Sequence, residues 1–301
     1  MTRLTPDERT PLQPLTNAIF QHKNIQVWLK RDDLNHPLIQ GNKLHKLKYN
    51  LQKAKQLNCD TLISFGGAYS NHIAALSIAG KEQGFRTLAY IRGEELKNTP
   101  GKWSHTLKEA HKYGMEFIFL TRQDYRKKNR DSFLKNLSQQ HPNAYIIPEG
   151  GTNSLAVKGF EETINHLDIQ CPEWTHLFTA VGTGGTLSGL SKYANEKQKI
   201  QGIATLKNVG YLEEDIGKLT PKKNWQLLTE YHGGGYAKNN PQILDIQIWF
   251  EQNFNILLDP IYTNKMVFGF MEELRKDNIA ENSKVILYHS GGLQGRAPSN
   301  F

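Results

Sequence analysis

Two short stretches of the chain hold residue types that can do chemistry together: a glycine-rich turn, Gly182-Thr183-Gly184-Gly185-Thr186, and a lysine, Lys43, opening an amphipathic segment. An apolar run over 175–181 predicts a buried strand before the turn, and Leu187–Asn195 predicts a helix after it. Backbone N–H groups then converge on a helix N-terminus, a setting that holds phosphate. Glycine lets the backbone approach the anion, and Thr183 and Thr186 add hydroxyl donors without adding charge. A tight turn with no ligand would carry the same glycines, so the turn alone leaves both readings open. Gly185 is followed by Thr186 and Leu187, not by the Lys-Ser/Thr that closes a nucleoside-triphosphate loop. Gly182, Gly184 and Gly189 also miss dinucleotide spacing, and they lie past mid-chain. A cofactor with a single phosphate fits better.

Lys43 follows Asn42, a natural N-cap for a helix over Leu44–Leu57, in which Leu44, Leu47, Leu51, Ala54 and Leu57 share one face. The helix dipole opposes a cation in the first turn, which lowers the lysine pKa and favours the neutral amine that Schiff-base chemistry requires. Lys46, Lys48, Lys53 and Lys55 of the same helix read as ordinary solvated lysines, and spacing alone allows Lys43 to be another.

These residues need elements to hold them. Strand-like runs at 61–65, 86–91, 115–120, 144–147, 175–181, 201–206, 226–231, 256–258 and 284–288 alternate with helical patterns, which predicts an α/β fold with parallel sheets. Ligands of such folds gather at the carboxyl ends of strands. There the chain places Gly66-Gly67 with Ser70-Asn71-His72, Glu149-Gly150-Gly151-Thr152-Asn153, the Gly182 turn, Gly233-Gly234-Gly235-Tyr236 and His289-Ser290-Gly291-Gly292. One crevice can collect them all. The stretch 148–152 is the best candidate for a hinge.

The 301 residues suffice for one large or two modest domains. The formal charge of +8 is scattered, favouring anionic small molecules over nucleic acid, and the one dense basic cluster, 122–130, reads as a solvated face. Cys59 and Cys171 lack ligand spacing, which argues against zinc or a disulfide scaffold and predicts a reducing cytoplasm. The first fifteen residues lack the apolar core of a signal peptide. Residues 61–80 are free of charges but carry Gly66-Gly67 and Ser70-Asn71-His72, so they read as strand, turn and helix of a soluble core.

Lys30-Arg31-Asp32-Asp33-Leu34, Gly41-Asn42-Lys43-Leu44-His45-Lys46-Leu47 and Ser64-Phe65-Gly66-Gly67-Ala68-Tyr69-Ser70-Asn71-His72 resemble the fold type II pyridoxal-phosphate enzymes, the superfamily of the tryptophan-synthase β-subunit. Within it the chain is most similar to the 1-aminocyclopropane-1-carboxylate deaminase and D-cysteine desulfhydrase family. The match continues through Pro148–Asn153, Gly182–Thr186, Asp259-Pro260-Ile261-Tyr262 and His289–Gly292, in order along most of the chain. The resemblance implies two lobes, a small one over 48–151 and a large cofactor-binding one over 1–47 and 152–301, in an enzyme that is commonly dimeric. It implies that pyridoxal phosphate is bound by Lys43, Asn71, Gly182, Thr183, Gly184, Gly185, Thr186 and Ser290, with Ser290 at the ring nitrogen. Ser70, Asn71 and His72 then bind the substrate carboxylate, which suits a helix N-terminus, although simple N-capping by Ser70 or Asn71 would use the same residues. Catalysis falls to Lys43, Tyr262, Ser70 and Tyr236. No metal is implied.

The chain departs from the family pattern at Gln40, where glycine is usual, and at Ile73-Ala74-Ala75. Thr263 beside the substrate and Ser290 stand where the deaminase branch usually has glutamate and leucine, and small hydroxyl residues there point to the desulfhydrase branch. The implied reaction is α,β-elimination, D-cysteine giving pyruvate, ammonia and hydrogen sulfide, with Lys43 removing the α-proton and the cofactor as electron sink. The alternative is ring opening of 1-aminocyclopropane-1-carboxylate to 2-oxobutyrate, in which Tyr262 takes part. A weakly catalytic protein that binds pyridoxal phosphate or a D-amino acid is the reading from another class.

Overall fold

A computed structural model describes residues 10–296. Among them are ten strands: β1 Leu12–Pro14, β2 Gln26–Lys30, β3 Thr61–Gly67, β4 Arg86–Arg92, β5 Glu116–Leu120, β6 Ala144–Ile146, β7 His176–Val181, β8 Lys199–Ala204, β9 Trp225–Leu228 and β10 Lys284–Tyr288. They form a six-stranded sheet in the order β1-β2-β10-β7-β8-β9 and a four-stranded sheet in the order β5-β4-β3-β6. All neighbours run parallel except β1, which pairs antiparallel with β2.

Every residue of β7 is buried, as expected of a parallel strand covered on both faces. Its side chains alternate between two cores. Phe178 and Ala180 join Leu29, Val267, Phe270 and Leu287 on one face of the large sheet, whereas Leu177 and Val181 join Phe160, Ile164, Leu187 and Leu190 on the other. In the small sheet, Leu62, Ala89 and Ile91 pack with Leu44, Leu47 and Leu51, the apolar face of the helix Asn42–Gln56. That packing sets Lys43 at the edge where the two sheets meet.

Eight of the strand-like runs form strands, with ends shifted by a few residues. The run 256–258 does not: it joins no ladder, and the Leu258 N–H bonds the Glu251 carboxylate instead. Two strands escaped the sequence pattern. β1 is three residues long and ends in proline, and β2 ends in Lys30, a charge that masks a central strand. Lys30 is nevertheless buried, its ammonium donating to Thr10 O and Gln170 Oε1. Among the described residues, no helix is long and apolar enough to cross a membrane.

Candidate active site

The carboxyl ends of both sheets open on one cavity of about 430 Å³. Lys43, Ser70, Asn71, His72, Gly182, Thr183, Gly184, Thr186, Tyr236, Tyr262 and Ser290 all line it, so residues as far apart in sequence as Lys43 and Ser290 come together. Gly185 lies just behind, as the first residue of the helix Gly185–Tyr193. Thr263 is a correction. It is fully buried outside the cavity lining, and its hydroxyl is bonded to the backbone of Asp259, 2.7 Å from that N–H. Adjacency to Tyr262 in sequence does not carry over, because at a helix start successive side chains point in different directions.

Gly41, not Asn42, takes the N-cap place of the helix Asn42–Gln56, at φ 68°. A Cβ there would lie 1.9 Å from the Ser290 carbonyl oxygen, so glycine alone lets the helix start press against the loop after β10. Asn42 is thereby free for the site: its amide donates to Thr186 Oγ1 at 2.8 Å and its oxygen accepts from Lys43 Nζ at 2.7 Å. One side chain links the lysine to the glycine-rich turn. Lys43 is half-buried in the cavity wall, and desolvation lowers its pKa to about 8 although the Asp259 carboxylate opposes the shift. Burial pushes Asp259 up to about 6, against the N–H groups of Ile261 and Tyr262, the Asn71 amide and Lys43.

Lys46 overturns the expectation of a solvated lysine. It is buried, lines the cavity, and donates to Gly150 O at 3.1 Å and Thr152 Oγ1 at 3.3 Å. A Cβ on Gly185 would come within 3.2 Å of its ammonium, which places a second amine beside the turn. Burial and the charge of Lys43 hold its pKa well below the usual value. Its spacing of three from Lys43 put both on one helix face, the signal by which the sequence could have shown it.

Ser70 caps the helix Asn71–Gln83, accepting from Ile73 N at 3.3 Å. His72 Nε2 lies 2.9 Å from Ser64 Oγ, which spends its single proton on Ile147 O at 2.8 Å. His72 must therefore donate from Nε2, and burial together with Lys43 and Lys46 keeps the ring neutral. Its Nδ1 is then a bare acceptor, which repels a carboxylate rather than binding it. The N–H groups of the helix start remain available for an anion.

Tyr236 and Tyr262 meet edge to face with centroids 6.4 Å apart. Burial raises both, Tyr236 to about 12 and Tyr262 well above the usual phenol value, and their mutual hydrogen bond lowers the first while raising the second. Asn71 Oδ1 is buried without a partner, so the site holds a polar atom that a ligand can satisfy. A phosphate cradle at a helix start, two amines beside it and an orphaned amide oxygen across the cavity fit a phosphorylated aldehyde.

These features define a class: an enzyme whose cofactor is held by its phosphate and approached by a lysine. The chain belongs to the family described as pyridoxal-phosphate dependent enzyme, which matches residues 4–291. A Pyrococcus horikoshii protein provisionally named a 1-aminocyclopropane-1-carboxylate deaminase is 30% identical, over 95% of this chain and 90% of its own length. The Arabidopsis thaliana protein named bifunctional D-cysteine desulfhydrase/1-aminocyclopropane-1-carboxylate deaminase, mitochondrial, is 26% identical over 97% of this chain and 77% of its length. A crystal structure titled as an ACC deaminase homologue superposes with a TM-score of 0.79 at 27% identity, over 95% of this chain and 90% of that one. The fold is type II, and the cofactor is pyridoxal phosphate.

Proposed function

We propose that this enzyme catalyses α,β-elimination of a D-amino acid, D-cysteine giving pyruvate, ammonia and hydrogen sulfide. The supporting observation is the distribution of base strength around the cavity. Lys43, near 8, is bonded among the described residues only to Asn42, whereas Lys46 is tied to Gly150 and Thr152 and burial pushes both tyrosines above the usual phenol range. Lys43 is thus the group able to take a proton near neutral pH, and elimination needs an α-proton taken. Ring opening of 1-aminocyclopropane-1-carboxylate offers no such proton, and the paired tyrosines of the cavity are the feature that favours it as a second reading.

Pyridoxal phosphate, when bound, supplies the electron sink that makes an amino-acid α-proton removable. The Gly182–Thr186 turn and Lys46 would hold its phosphate, Asn71 and Ser290 would be the residues toward its ring, and Ser70 with the N–H groups of Asn71 and His72 would take the substrate carboxylate. Lys43 carries the proton from the α-carbon. Ser290, a neutral hydroxyl, supports the desulfhydrase assignment; Thr263 gives it no support from inside the cavity.

D-cysteine is expected to be consumed with a kcat/KM on the order of a hundredfold above that for the cyclopropane acid, the scale of one positioned proton transfer. Pyruvate, 2-oxobutyrate and sulfide are scored separately; a larger value for the cyclopropane acid would reverse the assignment. A protein that binds cofactor but turns over neither compound would be a binding module.

Uptake of pyridoxal phosphate by cofactor-free protein is expected to accelerate with pH, half-maximally near the Lys43 pKa of about 8. The sign follows from the amine, which must be neutral to attack an aldehyde. Stopped-flow absorbance between pH 6 and 10 tests this, and a flat profile would remove Lys43 as a desolvated amine.

A further inference from the structure

The buried lining of the cavity gives way to exposed residues at its mouth: Arg92 at the end of β4, Lys207 after β8, and Tyr211. Among the described residues, neither Arg92 nor Lys207 makes an ion pair. The carboxylate on the same wall, Glu149, is committed elsewhere: Lys128 Nζ lies 3.1 Å away and Tyr125 OH donates to it at 2.7 Å. The Tyr125 ring is buried and lies between cations, with Lys128 Nζ 4.7 Å and the Arg92 guanidinium 5.9 Å from its centroid. Glu149 is therefore engaged by Lys128 and Tyr125 rather than by Arg92, and Arg92 is steadied on an aromatic face without an ion-pair partner of its own. Arg92 also borders the substrate side, since a Cβ on Gly67 would lie 3.5 Å from its Nη2 and both residues line the cavity with Tyr236. D-cysteine, with one sulfur beyond the β-carbon, has nothing to offer this wall.

We propose that Arg92, aided by Lys207 from the other sheet, recognises an acidic group beyond the reacting carbons, so that the substrates include β-substituted D-amino acids whose leaving group carries a carboxylate. The inference rests on the elimination reading above. With S-carboxymethyl-D-cysteine, Lys43 takes the α-proton and the Cβ–S bond breaks with its electron pair on sulfur. Mercaptoacetate leaves and is protonated, and water hydrolyses the 2-aminoacrylate to pyruvate and ammonia.

The test compares S-carboxymethyl-D-cysteine with S-carbamoylmethyl-D-cysteine, which differs by replacing the distal carboxylate with an amide. Binding to the holoenzyme is read from the cofactor absorbance change, and turnover from pyruvate. The wild type is expected to prefer the acid by roughly tenfold in Kd, the scale of a charge-assisted contact. Arg92→Gln/Lys207→Gln is expected to bring that ratio close to one with cofactor content and circular dichroism retained, and added salt to narrow it in the wild type. Equal binding of the two compounds by the wild type, or a ratio that survives in the variant, overturns the inference. Pyruvate from D-cysteine is measured alongside: its absence with the acid still preferred would overturn the reaction and leave the recognition standing.

Discussion

Lys43→Ala is expected to lower kcat/KM for D-cysteine by on the order of a thousandfold, within the range of a general base lost from an active site. The fold should survive. Lys43 Nζ is bonded to one neighbour, Asn42 Oδ1, and alanine is the better helix former. The lysine pKa falls from 10.5 to about 8 on folding, so below pH 8 the folded state bears the cost of a desolvated ammonium that the variant lacks. Compared as cofactor-free proteins, the variant is therefore expected to melt no lower than wild type at pH 7, while the loaded variant loses activity, a split that a structural role would not produce. Borohydride reduction of the wild type should leave the pyridoxyl group on Lys43. Its appearance on Lys46, the other buried amine of the cavity wall, would exchange the two assignments.

The second large effect is expected at Gly41→Ala. The new Cβ would sit 1.9 Å from Ser290 O and 2.1 Å from Ser290 C, both backbone atoms, and φ there is 68°. No rotamer relieves that clash, so the loop Ser290–Gly292 must move off the helix start and break the Asn42 N–H bond to Ser290 O. Left-handed strain and the displaced loop together should cost about 2–4 kcal/mol or more. Cofactor retention should fall with it, because Ser290, Gly291 and Gly292 line the cavity. Gly101→Ala is the control: nothing lies within 4 Å of its Cβ, and a change within about 0.5 kcal/mol is expected. Denaturant unfolding and cofactor absorbance decide both, and a Gly41→Ala protein matching wild type would disprove the packing.

What was legible beforehand follows a physical division. Features set by the backbone showed in the sequence: the Gly182–Thr186 turn and the Ser70 cap are local chemistry, and β7 is mostly apolar because both its faces are covered. Features set by distant partners did not. Lys46 is written like Lys53 or Lys55, and only the approach of Gly150 and Thr152, a hundred residues on, makes it a wall of the cavity. Asp259 and His72 likewise acquire their protonation states from burial and from Lys43, which no local pattern encodes. Thr263 failed in the opposite sense, its neighbour Tyr262 facing the cavity while its own hydroxyl served a turn.

The pairing of Lys43 and Lys46 on one helix face also bears on how the protein keeps its shape. Each amine depresses the tendency of its surroundings to hold positive charge, and Asp259, itself half inclined to protonate near pH 6, is a weak counterweight. A phosphate dianion is the counter-ion this wall calls for. Cofactor capture is then a fold-completing event as well as a catalytic one: at a hundredfold excess over Kd it adds about 2.7 kcal/mol to unfolding by mass action. In a cell short of the vitamin that supplies the cofactor, the first consequence for this enzyme would be shorter survival of the chain, ahead of any slowing of each molecule that remains loaded.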